Sequence, residues 1–133
     1  MITANIRELV KYRIEQAEES LEAARLLHEK ALERPSLNRA YYAMFYAVLA
    51  LLATRKRETS KHSGAIALFD LEYVKPGIFP KDFSKWLHEA FDLRQRSDYS
   101  SQFQIAAEEV ESILQNATSF VVKVKELVVT ELT

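Results

Sequence analysis

The sequence predicts an all-α fold, an up-and-down antiparallel bundle of four to five helices, and three observations carry that expectation. Only 2 glycines and 3 prolines occur among 133 residues. Sandwiches and barrels need many turns with positive φ, and doubly wound sheets need glycine-rich corners between strand and helix. Gly64 and Gly77 supply neither. Second, apolar residues recur at alternating steps of four and three through two long stretches, the spacing of a helix with one buried face. Third, the segment from about Leu37 to Thr54 is apolar on nearly every side, so other helices must surround it. The length and a hydrophobic share of 48% suit one domain over residues 1–133.

The first helix starts after Thr3 and buries Val10, Ile14, Ala17, Leu21, Ala24 and Ala31, with His28 on the same stripe. Pro35 is expected to stop it, because the residue before a proline is pushed out of the α region, and Ser36 to cap the next helix. That second helix carries Ala40, Tyr41, Tyr42, Phe45, Tyr46, Val48, Leu51 and their neighbours. It is expected at the centre of the bundle or also at a subunit interface. The charged stretch from Arg55 to Lys61 is a surface connection. A short third helix places His62, Ala65, Ile66 and Phe69 at helical spacing, and Pro76-Gly77 ends the segment in a turn.

The fourth helix begins near Pro80 and buries Phe83, Trp86, Leu87, Ala90 and Phe91. One further turn brings the stripe to Arg94, a guanidinium on a core-facing row that needs polar partners. Asp98 follows four residues later. After a polar break from Ser97 to Gln104, a fifth helix shows Ala106, Val110, Ile113, Ala117, Phe120, Val124 and Val128. Its end is rich in β-branched residues, yet unbroken helical phase through Lys123 and Lys125 favours helix.

Composition also bounds the chemistry. There is no cysteine, hence no disulfide, thiolate metal site or thiol nucleophile, which fits a cytoplasmic location. Two glycines cannot write a phosphate loop or a dinucleotide fingerprint. Three scattered histidines do not share a metal-ligand spacing, so neither metal nor cofactor is expected. Net charge is −1, so no global field draws in nucleic acid or anionic lipid. Arg7, Glu8 and Lys11 stand where a signal peptide would need an apolar core. The longest uncharged run, Ala40 to Thr54, falls short of the roughly 18 apolar residues of a membrane span, so no membrane association is expected.

Three blocks of sequence resemble the HEPN domains, small helical proteins named for higher eukaryotes and prokaryotes nucleotide-binding. The first is Leu37-Asn38-Arg39-Ala40-Tyr41-Tyr42-Ala43-Met44-Phe45-Tyr46-Ala47, similar to the signature helix. The second is Lys61-His62-Ser63-Gly64 leading into Ala65-Ile66-Ala67-Leu68-Phe69, and the third is Leu93-Arg94-Gln95-Arg96-Ser97-Asp98-Tyr99. These two agree with a prokaryotic branch of the superfamily. The resemblance implies a helical bundle, commonly a homodimer, and often a toxin whose antitoxin is a minimal nucleotidyltransferase encoded beside it.

Catalytic relatives are metal-independent ribonucleases whose motif is an Arg followed, four to six residues on, by a His at the dimer cleft. Arg94 takes the Arg position, Tyr99 stands after the gap, and no histidine follows Arg94 anywhere in the chain. Attack by a 2′-hydroxyl needs acid and base groups near neutral pH, the role histidine fills. Tyrosine titrates near about 10 and is a poor base at pH 7. Arg94 retains the capacity to hold phosphate charge bidentately. Relatives that accept AMP use a tyrosine two residues beyond the motif histidine, and that place holds Ser101.

The candidate catalytic residues are therefore Arg94, Asp98 and Tyr99, with Arg39, Tyr42 and His62 as candidate ligand-binding residues. Each has a plainer reading. Arg94 could tie its helix to the central one through Asp98 or a tyrosine hydroxyl. Tyr99 could be a helix-end aromatic, and Arg39, Tyr42 and Tyr46 core or interface side chains. His62 could be a simple helix cap. His28 is expected packed at the bundle edge and His88 exposed. Three functions follow: an RNA- or nucleotide-associated partner of a minimal nucleotidyltransferase, a metal-independent ribonuclease with an Arg-x4-Tyr motif, or a non-catalytic oligomerisation module.

Overall fold

A computed structural model describes residues 2–133. Its elements are α1 (Ala4–Glu29), α2 (Glu33–Thr54), α3 (His62–Phe69), α4 (Lys81–Tyr99) and α5 (Ala107–Leu132), with a single π-helical turn, Asp70–Val74, prolonging α3. No strand occurs among the described residues. The all-α bundle expected from glycine scarcity is the fold observed. α2 lies at its centre and packs against α1, α3, α4 and α5.

The neighbours run antiparallel, and polar ties at their ends show it. Arg7 Nη1 at the start of α1 donates to the Leu132 carbonyl at the end of α5, 2.6 Å away. At the other end His28 of α1 meets Glu111 of α5 at 2.9 Å. Arg34, in the first turn of α2, donates to the Ser97 carbonyl and to the Ser97 hydroxyl near the end of α4.

α1 starts where Thr3 Oγ1 accepts the Ile6 amide at 3.2 Å, an N-cap that satisfies one of the first turn's free donors. Its end departs from expectation. α1 stops at Glu29, Ala31 sits in the left-handed region at φ 61, and the Leu32 amide closes back on the Leu27 carbonyl at 2.9 Å. Ala31 is thus exposed at the corner and is not part of the buried stripe. Pro35 does not end α1; it lies inside the first turn of α2, where an N–H would have no helical acceptor. Nor does Ser36 cap that helix. It is fully buried, and its hydroxyl donates to the Ala24 carbonyl of α1 at 2.8 Å.

The core is built from the predicted stripes. Val10, Ala17 and Ala24 of α1, Leu37, Tyr41, Met44, Val48 and Leu51 of α2, and Val110, Ala117, Phe120 and Val124 of α5 are all completely buried. On α4, Phe83, Leu87 and Ala90 are buried, whereas Trp86 and Phe91 are half-buried at the edge of the stripe. Phe120 is the centre of an aromatic cluster, its ring 5.4 Å from Phe69 and 5.1 Å from Phe83. The β-branched end of α5 stays helical because Val121, Val124 and Val128 all find the core. Burial outweighs the modest entropic cost of such residues in a helix.

The π-helical turn has no counterpart in the periodicity. It advances the phase enough to bury Tyr73, whose hydroxyl donates to the Leu51 carbonyl of α2 at 2.9 Å. α4 also runs on through Ser97 to Tyr99, past the predicted break, because Arg34 accepts the duty of holding its last carbonyls. No helix among the described residues is long and apolar enough to cross a membrane.

Candidate functional site

Arg94 is the polar residue that the helical arithmetic singles out, and the structure explains where its charge goes. Its Cζ lies 5.0 Å from the Tyr41 ring centre and 5.8 Å from those of Tyr42 and Phe91. Aromatic faces attract a cation, and a guanidinium is weakly enough hydrated to accept such a place. Nη1 donates to Asp98 Oδ2 at 3.0 Å, one turn along α4. Nε is buried without an acceptor, so part of the guanidinium's donor capacity is unmet within the protein. The side chain is 15% exposed, enough to reach a ligand from the surface.

His62, first residue of α3, is drawn to the same rings. Its imidazole stacks on Phe45 with centres 4.1 Å apart and lies 5.7 Å from Tyr42. Nδ1 is 2.8 Å from the hydroxyl of Tyr41. Burial holds the His62 pKa below the usual 6.5, and the nearby positive charge of Arg94 lowers it further. Tyr41, entirely buried, is pushed well above the ordinary phenol range by burial; Arg94 opposes that shift and Tyr42 adds to it. At neutral pH the pair is a neutral phenol beside a neutral imidazole.

Around the corner from Arg94, the first turns of α2 and the end of α4 enclose a groove of about 510 Å³ lined by Arg34, Asn38, Arg39, Ser97 and Asp98. Arg39 places its guanidinium 4.9 Å from the Tyr42 ring centre and donates through Nε and Nη2 to Asn38 Oδ1. It has no carboxylate partner among the described residues. Arg34 is committed to structure, since Ser97 and Ser100 take its hydrogen bonds.

Of the residues proposed from sequence, Arg94, Asp98, Arg39, Tyr42 and His62 gather around one surface. Tyr99 does not join them. It projects from the end of α4 with 86% of its surface exposed. Sequence reasoning missed Tyr41 as the residue connecting His62 with Arg94, and nothing in an all-round apolar helix distinguishes it from Tyr42 or Tyr46. Arg34 was missed as well, because its partners are main-chain atoms of a distant helix.

A larger groove, about 750 Å³, lies at the opposite end of α2 between Leu9 and Arg13 of α1, Leu49 and the connection at Lys56 and Arg57. The basic stretch there is partly neutralised within the fold: Arg55 and Arg57 meet Glu72 at 3.4 and 3.1 Å. His88 is exposed and pairs with Asp70 at 2.7 Å. No group of three potential metal ligands occurs among the described residues.

The arrangement is suited to holding an anion against an aromatic surface, and known proteins carry similar sequences. The family model for the HEPN domain matches residues 10–127. A protein of Methanocaldococcus jannaschii named "Putative toxin" is 37% identical over 125 residues, covering 94% of this chain and 92% of the relative. A second protein of that organism with the same designation is 36% identical over 125 residues, 94% of this chain and 84% of its own length. A Thermotoga maritima protein named "UPF0332 protein" is 33% identical over 120 residues, 90% of this chain and 91% of the relative. With the match extending over nearly the whole bundle, the chain belongs to the HEPN domain family.

Proposed function

We propose that this chain is a toxin-type HEPN protein that binds RNA through phosphate contacts at Arg94 and works as the partner of a minimal nucleotidyltransferase. The observation that carries the reading is the convergence of Arg94 and Arg39 on the Tyr41–Tyr42 surface, with Asp98 the carboxylate paired to Arg94. Guanidinium groups recognise phosphate through a planar fork of donors, and neighbouring aromatic rings accept stacked bases. The names carried by the two Methanocaldococcus jannaschii relatives support the toxin assignment. The half-buried Tyr46 and Leu49 on the free face of α2 support a homodimer seam. Such a protein would act in the cytoplasm.

Binding of tRNA and of total RNA by the purified protein tests this, with Arg94→Ala beside it. Affinity should fall about tenfold or more on losing a charged phosphate ligand. Equal binding by both proteins would remove Arg94 from consideration as a phosphate contact. Coexpression with a minimal nucleotidyltransferase encoded beside the gene should yield a complex that purifies together and relieves any growth arrest. A second reading, the metal-independent ribonuclease, draws on the presence of an imidazole close to Arg94 despite the missing motif histidine. RNA fragments produced by the wild type and absent with Arg94→Ala would favour it.

A further inference from the structure

The hydrogen bond between Tyr41 and His62 decides which chemistry the imidazole offers. Tyr41 is fully buried, and His62 Nδ1, at 2.8 Å, is the hydrogen-bond partner of its hydroxyl among the described residues. A buried phenol that stays protonated needs an acceptor for its hydrogen, and leaving that hydrogen unpaired is costly. Nδ1 meets the need only if it carries no hydrogen itself. A neutral imidazole with a bare Nδ1 bears its proton on Nε2. The opposite tautomer would point Nδ1–H at the tyrosine oxygen and strand the phenolic hydrogen among apolar side chains.

The ring is also held in place. It stacks on Phe45 and meets the edge of Tyr42, so a change of orientation would disrupt both contacts. Nε2 makes no hydrogen bond among the described residues, and it is not among the buried polar atoms lacking a partner. It is therefore open to solvent or to a ligand. Arg94 lies against the same two tyrosine rings, with a buried, unpaired Nε.

We propose that His62 is a second donor of the Arg94 site, a neutral Nε2–H set by Tyr41 that hydrogen-bonds a phosphate-ester oxygen of single-stranded RNA and does not serve as a base. The inference rests on the reading of the surface around Arg94 as an RNA site and assigns the role of its histidine. A 2′-hydroxyl can lose its proton only to a free lone pair, and the accessible nitrogen of this imidazole has none. The half-buried ring of Tyr42, against which Arg39 and Arg94 both lie, provides the sequence-tolerant surface that an unpaired base uses.

A short fluorescein-labelled single-stranded oligoribonucleotide tests the proposal by anisotropy, with gel analysis of the same samples. The wild type should bind the probe and leave it intact. His62→Phe should weaken binding about tenfold, while His62→Gln, whose amide nitrogen is also a neutral donor, should stay within a few-fold of wild type. Cleavage by the wild type that His62→Gln abolishes would show a base and overturn the assignment. Undiminished binding by His62→Phe would overturn it too, as would binding of AMP without binding of the oligoribonucleotide. If the wild type binds neither ligand, the RNA reading itself fails and this inference falls with it. Ring ¹⁵N shifts of wild-type His62, one of 3 histidines, give an independent measurement that needs no variant. The Nε2–H tautomer is expected, and Nδ1–H contradicts the proposal.

Discussion

His28 shows how one side chain can carry a pH dependence for the whole bundle. It lies between two carboxylates from different helices, with Nδ1 2.8 Å from Glu33 of α2 and Nε2 2.9 Å from Glu111 of α5. The hydrogen bond with Glu33 is the largest influence and raises its pKa above 6.5; partial desolvation works against this, and the charges of Glu33 and Glu111 add to the rise. A raised folded pKa means that this contribution to stability is complete below the unfolded value of about 6.5 and is lost as pH climbs through the higher folded value. Thermal unfolding followed from pH 6 to pH 9 should therefore show a loss for the wild type that His28→Gln lacks. Parallel curves for the two proteins would mean that the carboxylates do not hold the imidazolium. The sequence placed His28 on the α1 stripe, but the two glutamates come from other helices and are invisible to that periodicity.

At the scale of elements, the corner between α1 and α2 is where local rules and tertiary packing diverge. The proline rule anticipated an interruption and put it a few residues late. Ser36, a good capping residue by type, is instead used to satisfy the Ala24 carbonyl inside the α1–α2 contact. Ala31 takes the left-handed turn, a conformation that costs an L-residue roughly 1–2 kcal/mol. It is exposed, so no packing is lost on removing its methyl group. Ala31→Gly should stabilise the protein by about 0.5–1 kcal/mol, the relief of strain exceeding the added entropy of the unfolded chain. A urea midpoint that moves upward at unchanged slope is the expected result, and a downward shift would show that the corner tolerates alanine without strain. The π-helical turn belongs to this scale too. It buries Tyr73 and delivers its hydroxyl to Leu51, a consequence of spacing that no 3.6-residue pattern contains.

For the whole molecule, two centres share the bundle. One is the apolar cluster in which Phe120 of α5 meets Phe69 of α3 and Phe83 of α4. Phe120→Ala should cost about 3–5 kcal/mol, because the cavity is enclosed by three helices and cannot easily collapse. Chemical denaturation measures the loss; a change below about 1 kcal/mol would mean that the helices close around the gap. The other centre is the polar-aromatic surface around Tyr41, away from that cluster and at the α2–α4 end. Separation of the two lets the HEPN bundle keep a desolvated arginine beside an open cleft while Phe120 and its neighbours supply cohesion.

What the sequence determined by itself is the class of fold and the unusual position of Arg94. With 2 glycines the turns of a β fold are out of reach, and steps of four and three identify the buried faces helix by helix. The same counting puts a guanidinium on an apolar row. The tertiary structure decided which residues share that guanidinium's surroundings: Tyr41 and Tyr42 beneath it, Arg39 beside them, His62 brought in from α3, and Tyr99 turned away into solvent. The physical reason is that periodicity describes one helix at a time, fixing the angle at which each side chain leaves its own axis. Which side chain of another helix stands opposite depends on how the helices cross and where each ends, and those are settled only when the core packs.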